Sequence, residues 1–389
     1  MSFDYDVIII GAGPIGSTLA YKLALDNINV CLIDRKKEIG IPLQCAGIVS
    51  EEIKTLSELP DDIILNNVRG ACIHSPNSQL MVHKDKTAAY IIDRVNYDKF
   101  LFENVKKHNV TIFMDEAVLD VDTSEGLVKT VNRCLKGKVV VAADGANSKM
   151  YMKLNKNIKH YVASQFLVKI IEEDNNNDFV DLFTDSEYFP GFIWKIPLRN
   201  NFYRVGIFTN KTFNQEKLLL NDFINKNYSN YEILDEYYGQ IPVYNKDCVL
   251  VENRLLLIGD AATQVKPTTG GGLILGLKST DIAENVIKEV LKEDNINFLK
   301  NYEKIFKKQF GKELKTQLNV QKTLSLLSND DLDYFFLKLK EKNLEQLISE
   351  YGEIDNQSKL VKEIIKRGYL FTLFPKLLLK NISRIWGIR

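Results

Sequence analysis

Apolar positions along this chain fall into two patterns. The first is the short unbroken run: Val7-Ile8-Ile9-Ile10, Val30-Cys31-Leu32-Ile33, Lys138 to Ala143 and Leu255-Leu256-Leu257-Ile258. Runs of this length with scarcely a polar position predict buried strands. The spacing between them predicts helices from about Ile15 to Leu25, from Arg94 with Tyr97, Phe100, Leu101 and Val105 on one face, and from Leu273 to Val290. Val110 to Met114 and Ala117 to Val121 read as further strands. The second pattern fills about 156–244 with short alternating segments rich in Tyr, Phe and Asn, such as Tyr161 to Ile171, Phe192 to Ile196 and Tyr203 to Phe208. Alternation of that kind predicts an antiparallel sheet. Beyond about 300 the chain is mostly helical and strongly charged.

Two glycine motifs punctuate the buried strands. Gly11-Ala12-Gly13-Pro14-Ile15-Gly16 follows the first strand, and Asp34 follows the second. Gly11 permits the tight turn, Gly13 lets backbone approach a pyrophosphate, and Gly16 allows close packing of helix on strand. Asp34 suits a hydrogen bond to the adenosine ribose and disfavours a 2′-phosphate. The second motif is Gly259-Asp260, followed by Pro267 and Gly270-Gly271-Gly272. Asp260 at a strand end suits a ribityl hydroxyl, and the helix opened by the triple glycine offers N–H groups to a flavin's pyrimidine edge. Asp144-Gly145, after another buried strand, supports the same assignment. Together the motifs predict an α/β protein with a Rossmann-type domain that holds both ends of one FAD. That domain is discontinuous (1–65, 92–155 and 245–300), with an antiparallel substrate domain (66–91 and 156–244) and a helical C-terminal region (301–389).

Composition narrows the chemistry. The 389 residues carry 51 basic and 51 acidic side chains, so no global field argues for nucleic acid. The five cysteines are scattered with no Cys-x-x-Cys pair, and the four histidines form no ligand-like spacing, which argues against zinc, iron–sulfur clusters and disulfides. Strand one begins too early for a cleavable signal peptide, and no apolar run approaches the roughly 18–20 residues of a spanning helix. The expectation is a cytoplasmic protein, with the inner membrane face as a second station.

With these motifs in hand, the chain resembles the FAD-dependent group that shares the p-hydroxybenzoate hydroxylase fold. Within it the chain is most similar to the geranylgeranyl reductase family, in particular the archaeal digeranylgeranylglycerophospholipid reductases. The resemblance covers nearly the full length: Gly11 to Gly16, the loop Gly40 to Gly47 with Cys45, Tyr90 to Arg94 with Tyr97-Asp98, Pro190 to Pro197, Gly259 to Gly272, and Leu324 to Asp333. It implies FAD contacts at Ile15, Asp34, Cys45, Ala46, Gly47, Arg94, Ala117, Asp260, Gly272 and Leu273, several through backbone groups. Three departures stand out: a shorter gap after Pro190, Phe192 and Ile196 in place of Tyr and Phe, and Lys266 before Pro267.

The activity implied is saturation of carbon–carbon double bonds in geranylgeranyl chains, with reduced ferredoxin or NAD(P)H as electron donor. The runner-up is a flavin monooxygenase or halogenase, because Gly191-Phe192-Ile193-Trp194-Lys195-Ile196-Pro197 approaches a halogenase signature. Cys45 either donates a proton to the alkene or merely fills its loop. Arg94 is either a fork donor to the cofactor or one half of a helix-start ion pair. Phe192 and Trp194 either line an isoprenoid tunnel or serve as core aromatics. Residues 359–389 carry eight basic side chains against Glu363 alone, a net of +7. From Lys376, helical spacing puts Lys376, Lys380 and Arg384 opposite Leu378, Ile382, Ile385 and Trp386, a pattern that suits either an anionic membrane or the protein's own core.

Overall fold

A computed structural model describes residues 2–171 and 177–387, without the side chains of 376–378 and 380. The unbroken apolar runs assemble side by side. Strand Tyr5–Ile10 lies between Val30–Ile33 and Cys134–Ala142, flanked in turn by Val110–Phe113 and Leu255–Leu257, all parallel. Helix Pro14–Leu25 and helix Leu273–Glu293 pack on this sheet and on each other. The inner strands are buried on both faces, which is why they show no polar alternation.

Register decides where the turns go. Ile10 pairs with Ile33 and Ala142, and Ala142 pairs with Leu257. All four strands therefore end level, and the turns carrying Gly11, Asp34, Asp144 and Gly259 emerge at one carboxyl edge. That edge is where open α/β sheets bind ligands.

The second sheet has seven strands, in the order Tyr231–Pro242, His160–Ile170, Phe202–Thr209, Ile193–Arg199, Phe179–Phe183, Gly70–His74 and Gln79–His83. It is antiparallel except where Phe179–Phe183 runs parallel to Gly70–His74. A parallel neighbour needs a long crossover, and here the hairpin 70–83 arrives from far upstream. Helix Phe213–Asn227, started by a Thr212–Gln215 capping box, covers one face. A small sheet that the sequence pattern does not predict (Ile48–Ser50, Ala89–Ile92, Ile64–Val68) joins the two regions.

Helices Asn301–Leu324, Asn329–Glu341, Leu344–Tyr351, Ser358–Lys366, Leu370–Leu373 and Lys376–Trp386 complete the chain. Their apolar faces close over Leu80, Ile73 and Val82 of the outer hairpin. Asp333 secures that seam by accepting from Ser75 Oγ at 2.6 Å and Asn77 Nδ2 at 2.8 Å. Among the described residues no helix is long and apolar enough to cross a membrane.

Candidate functional site

At the first turn, Gly11 has φ +104°, and a Cβ there would lie 2.3 Å from the Ala143 carbonyl oxygen. A Cβ on Gly16 would lie 1.8 Å from the Gly11 oxygen, so the helix can sit this close only with glycine. Gly13, by contrast, faces open space. It is the N-cap residue of the helix and supplies no side-chain cap, and Pro14 follows. The N–H groups of the first helical turn are thus left for an anion. The Asp34 carboxylate accepts from Ala12 N at 2.6 Å and Lys36 N at 2.8 Å. It braces the glycine turn from the strand next door.

The second turn meets the first through one side chain. Ile15 lies against both Gly259, where φ is +65°, and Gly276, where a Cβ would come within 2.5 Å of Ile15 Cδ1. Asp260 stands beside the triple glycine: a Cβ on Gly272 would approach its Oδ1 to 2.6 Å. Burial pushes the Asp260 carboxyl above its usual range, with the Arg94 charge pulling the other way. Helix Leu273–Glu293 starts from Gly272 with no side-chain cap. Asp144 adds a buried oxygen, Oδ1, that has no partner among the described residues. An open Gly13 face, two uncapped helix starts and an orphaned Asp144 oxygen on one sheet edge fit a dinucleotide with hydroxyl groups to donate.

Above this edge runs the Cys45 loop. Gly47 has φ +75°, and its Cα packs so tightly on Arg204 that a Cβ would lie 2.1 Å from Nη1. That nitrogen donates to Ala46 O at 2.9 Å and Ile92 O at 3.1 Å. Gln165 Nε2 donates to the Cys45 carbonyl at 3.5 Å, and Gln165 Oε1 accepts from Trp194 Nε1 at 3.0 Å. The Cys45 sulfur accepts from Gly47 N at 3.4 Å. Arg94 forks onto Asp98 at 3.1–3.3 Å, and its side chain is 13 % exposed. Burial opposes its charge, but Asp98 more than offsets this and holds Arg94 above even arginine's usual pKa. Arg204 is pulled below its usual value by burial. Cys45 lies close enough to both guanidiniums to enter their electrostatics.

The fold thus gathers Gly11, Gly13, Ile15, Gly16, Asp34, Asp260, Gly271, Gly272 and Leu273 along one edge, with Cys45, Ala46, Gly47 and Arg94 close by. Of the two readings of Arg94, the helix-start ion pair is present, with Asp98, and the Arg94 charge also acts on Asp260. Ala117 follows Glu116, which Thr130, Asn132 and Arg133 hold to a pKa of about 2 by hydrogen bonds and charge. Trp194 and Phe192 pack edge-to-face with Phe208 nearby, in an apolar cluster that includes Ala46 and Ile48 of the Cys45 loop.

Three polar residues, Gln165 and Arg204 of the second sheet and Glu216 of the helix that covers it, escape sequence reasoning. Their only signal is a polar side chain in an otherwise apolar strand or helix face. Cys72, His74 and Asp181 also converge, with donor atoms within 4.8 Å, which linear spacing could not show. The Asp181 carboxylate there is already met by His74 Nε2 at 2.9 Å and by Lys195 Nζ at 3.9 Å. The tail helix turns its apolar side inward: Ile382 is fully buried, and Trp386 Nε1 donates to Thr323 Oγ1 at 3.0 Å. Lys376, Leu378 and Lys380, named above for its two faces, lie outside the described side chains, as does Arg389.

Comparison with known proteins agrees with this geometry. The FAD binding domain family matches residues 4–312. An uncharacterized protein of Methanocaldococcus jannaschii is 34 % identical over 93 % of this chain and 95 % of its own length. Digeranylgeranylglycerophospholipid reductase 1 of Methanococcoides burtonii is 29 % identical, covering 89 % of this chain and 90 % of its own. The crystal structure of a geranylgeranyl bacteriochlorophyll reductase-like protein from Thermoplasma acidophilum superposes with a TM-score of 0.82 at 24 % identity, over 98 % of this chain and 99 % of that one. The halogenase PltM shares the fold more distantly, with a TM-score of 0.66 at 14 % identity over 94 % of this chain and 84 % of its own. The chain belongs to the FAD-binding domain family, and the relatives it is similar to within that family include digeranylgeranylglycerophospholipid reductases.

Proposed function

We propose that this FAD-dependent oxidoreductase saturates carbon–carbon double bonds in geranylgeranyl chains of membrane lipids or their precursors. One observation carries the reading. The two glycine turns meet at Ile15 on the edge below a Cys45 loop that is itself backed by the apolar cluster of Trp194, Phe192, Phe208 and Ile241. An isoprenoid needs such an apolar wall beside the reacting ring.

Bound and reduced, FAD supplies a hydride. An isolated alkene accepts hydride poorly, so a proton must reach its other carbon in concert. The Cys45 sulfur accepts a hydrogen bond from Gly47 N–H, which leaves its own S–H free to donate. Arg94 and Arg204 lie within electrostatic reach of the sulfur, and solvent returns the proton. Arg204 and Gln165 hold the loop by its carbonyl groups, so Cys45 keeps its position.

The sequence carries one dinucleotide fingerprint, and electrons therefore come from reduced ferredoxin or from NAD(P)H bound only in passing. Membrane contact has to be made without Ile382 and Trp386, which the protein's own core holds. Among the described residues, exposed Phe371 and Ile365, beside Lys366 and Arg367, offer apolar and basic groups for it.

Chemically reduced protein mixed anaerobically with geranylgeranyl lipids should reoxidise, with mass spectrometry showing gains of two hydrogens per bond. Reoxidation by oxygen alone, with a hydroxylated or halogenated product, would establish the monooxygenase or halogenase reading instead.

A further inference from the structure

We infer that the C-terminal segment around Asp355 tunes the electron affinity of the bound FAD, by restraining a lysine built into the floor of the triple-glycine turn. Lys266 closes that turn with its backbone: its N–H donates to Gly271 O at 3.1 Å, and its carbonyl accepts from Gly270 N at 2.8 Å. Its side chain folds back under the turn, so that a Cβ on Gly271 would lie 3.0 Å from Lys266 Cε and 3.4 Å from Nζ. The ammonium is thus one glycine away from the N–H groups assigned to the flavin's pyrimidine edge.

It does not stand alone. Asp355 Oδ1 meets Lys266 Nζ at 2.6 Å, with both side chains close to buried, and Ile354 O lies at 3.4 Å. Burial works to raise the Asp355 pKa, but Lys266 holds it below the usual carboxylate range. The segment is seated independently of the pair: Glu313 accepts from Gln357 N at 2.6 Å and Ser358 N at 3.0 Å, and Gln357 Nε2 donates to Thr268 Oγ1 at 2.8 Å.

A reduced flavin gathers negative charge at its pyrimidine edge, and a cation beneath that edge favours reduction. Asp355 cancels most of this effect. The pair therefore sets the potential at a moderate value, and a segment some ninety residues downstream of the turn becomes part of the redox site.

This inference rests on the placement of FAD and not on the identity of the lipid, and its test uses no lipid. Unreactive prenyl lipids would sink the proposed reaction and leave it standing. FAD-loaded protein is titrated for its midpoint potential and for sulfite, which adds to electron-poor flavins. Asp355→Asn should shift the midpoint positive and tighten sulfite binding about tenfold, an order-of-magnitude figure for one uncovered charge in a partly buried site. Lys266→Met should move both the other way, Lys266→Arg should match the parent, and Lys266→Met/Asp355→Asn should return within about twofold of it. If Asp355→Asn fails to hold FAD, Lys266→Met against the double variant decides. Sulfite affinity and midpoint unchanged in Lys266→Met overturn the inference.

Discussion

The two sides of the site are held together in different ways. On the dinucleotide side the holding groups are chain neighbours: Gly11, Gly13 and Gly16 shape one turn, Gly270 to Gly272 shape another, and parallel register brings them level. On the Cys45 side the loop's carbonyl groups are held from afar. Arg204 reaches Ala46 across 158 residues, and Gln165 reaches Cys45 across 120. The first side is a matter of backbone shape, which a single Cβ destroys. The second is a matter of a few hydrogen bonds, each worth about 0.5–1.5 kcal/mol, or up to about 3 when charged. Damage should therefore be absolute on one side and graded on the other.

The sharpest test of that contrast is Gly16→Val. Its Cβ would fall inside the Gly11 oxygen, a backbone atom with nowhere to move. A loss of more than about 4 kcal/mol is expected, seen as insoluble or colourless protein; a stable yellow variant would erase the distinction.

Next in size is a pH effect confined to the second sheet. Glu216 is fully buried, and burial raises its carboxyl to about 7 against hydrogen bonds from Ser164 and Thr209 that pull it down. A carboxyl whose folded pKa is raised favours folding below its unfolded value, near 4.5, and loses that advantage as pH rises to about 7. Chemical denaturation should show stability falling by about 3 kcal/mol over that interval relative to Glu216→Gln, in which the slope from this position vanishes.

Cys45→Ala should retain FAD and lower turnover at least about 100-fold, the scale of a lost proton donor. Unchanged turnover would reduce Cys45 to loop packing. The smallest effect is expected from Gln165→Leu, which frees the Cys45 carbonyl and leaves Trp194 Nε1 unpaired. About a tenfold fall in turnover with normal flavin content fits the loss of one buried hydrogen bond and some loop order.

The same contrast explains what the sequence discloses. The parallel strands are legible because burial on both faces writes itself as unbroken Val, Ile and Leu. The first glycine turn is legible because backbone approaches under 3 Å restrict Gly11 and Gly16 to one residue, with φ above zero at Gly11. Arg204 and Gln165 are not, since nothing near either residue in the chain announces a carbonyl more than a hundred positions upstream. The parallel pairing of Phe179–Phe183 with Gly70–His74, which gathers Cys72, His74 and Asp181, is hidden for the same reason. The tail is a case of degeneracy: an amphipathic helix reads alike whether lipid or protein covers it, and only the burial of Ile382 tells which.

Ile15 carries a consequence for how the protein is made. Its side chain is the peg between a turn finished within the first twenty residues and a helix that starts at Leu273. While a ribosome is still adding the middle of the chain, the phosphate turn has neither its peg hole nor the strand Leu255–Leu257. Cofactor capture therefore belongs late in synthesis, and ribosome-stalled chains should stay pale until the segment through Gly276 has emerged.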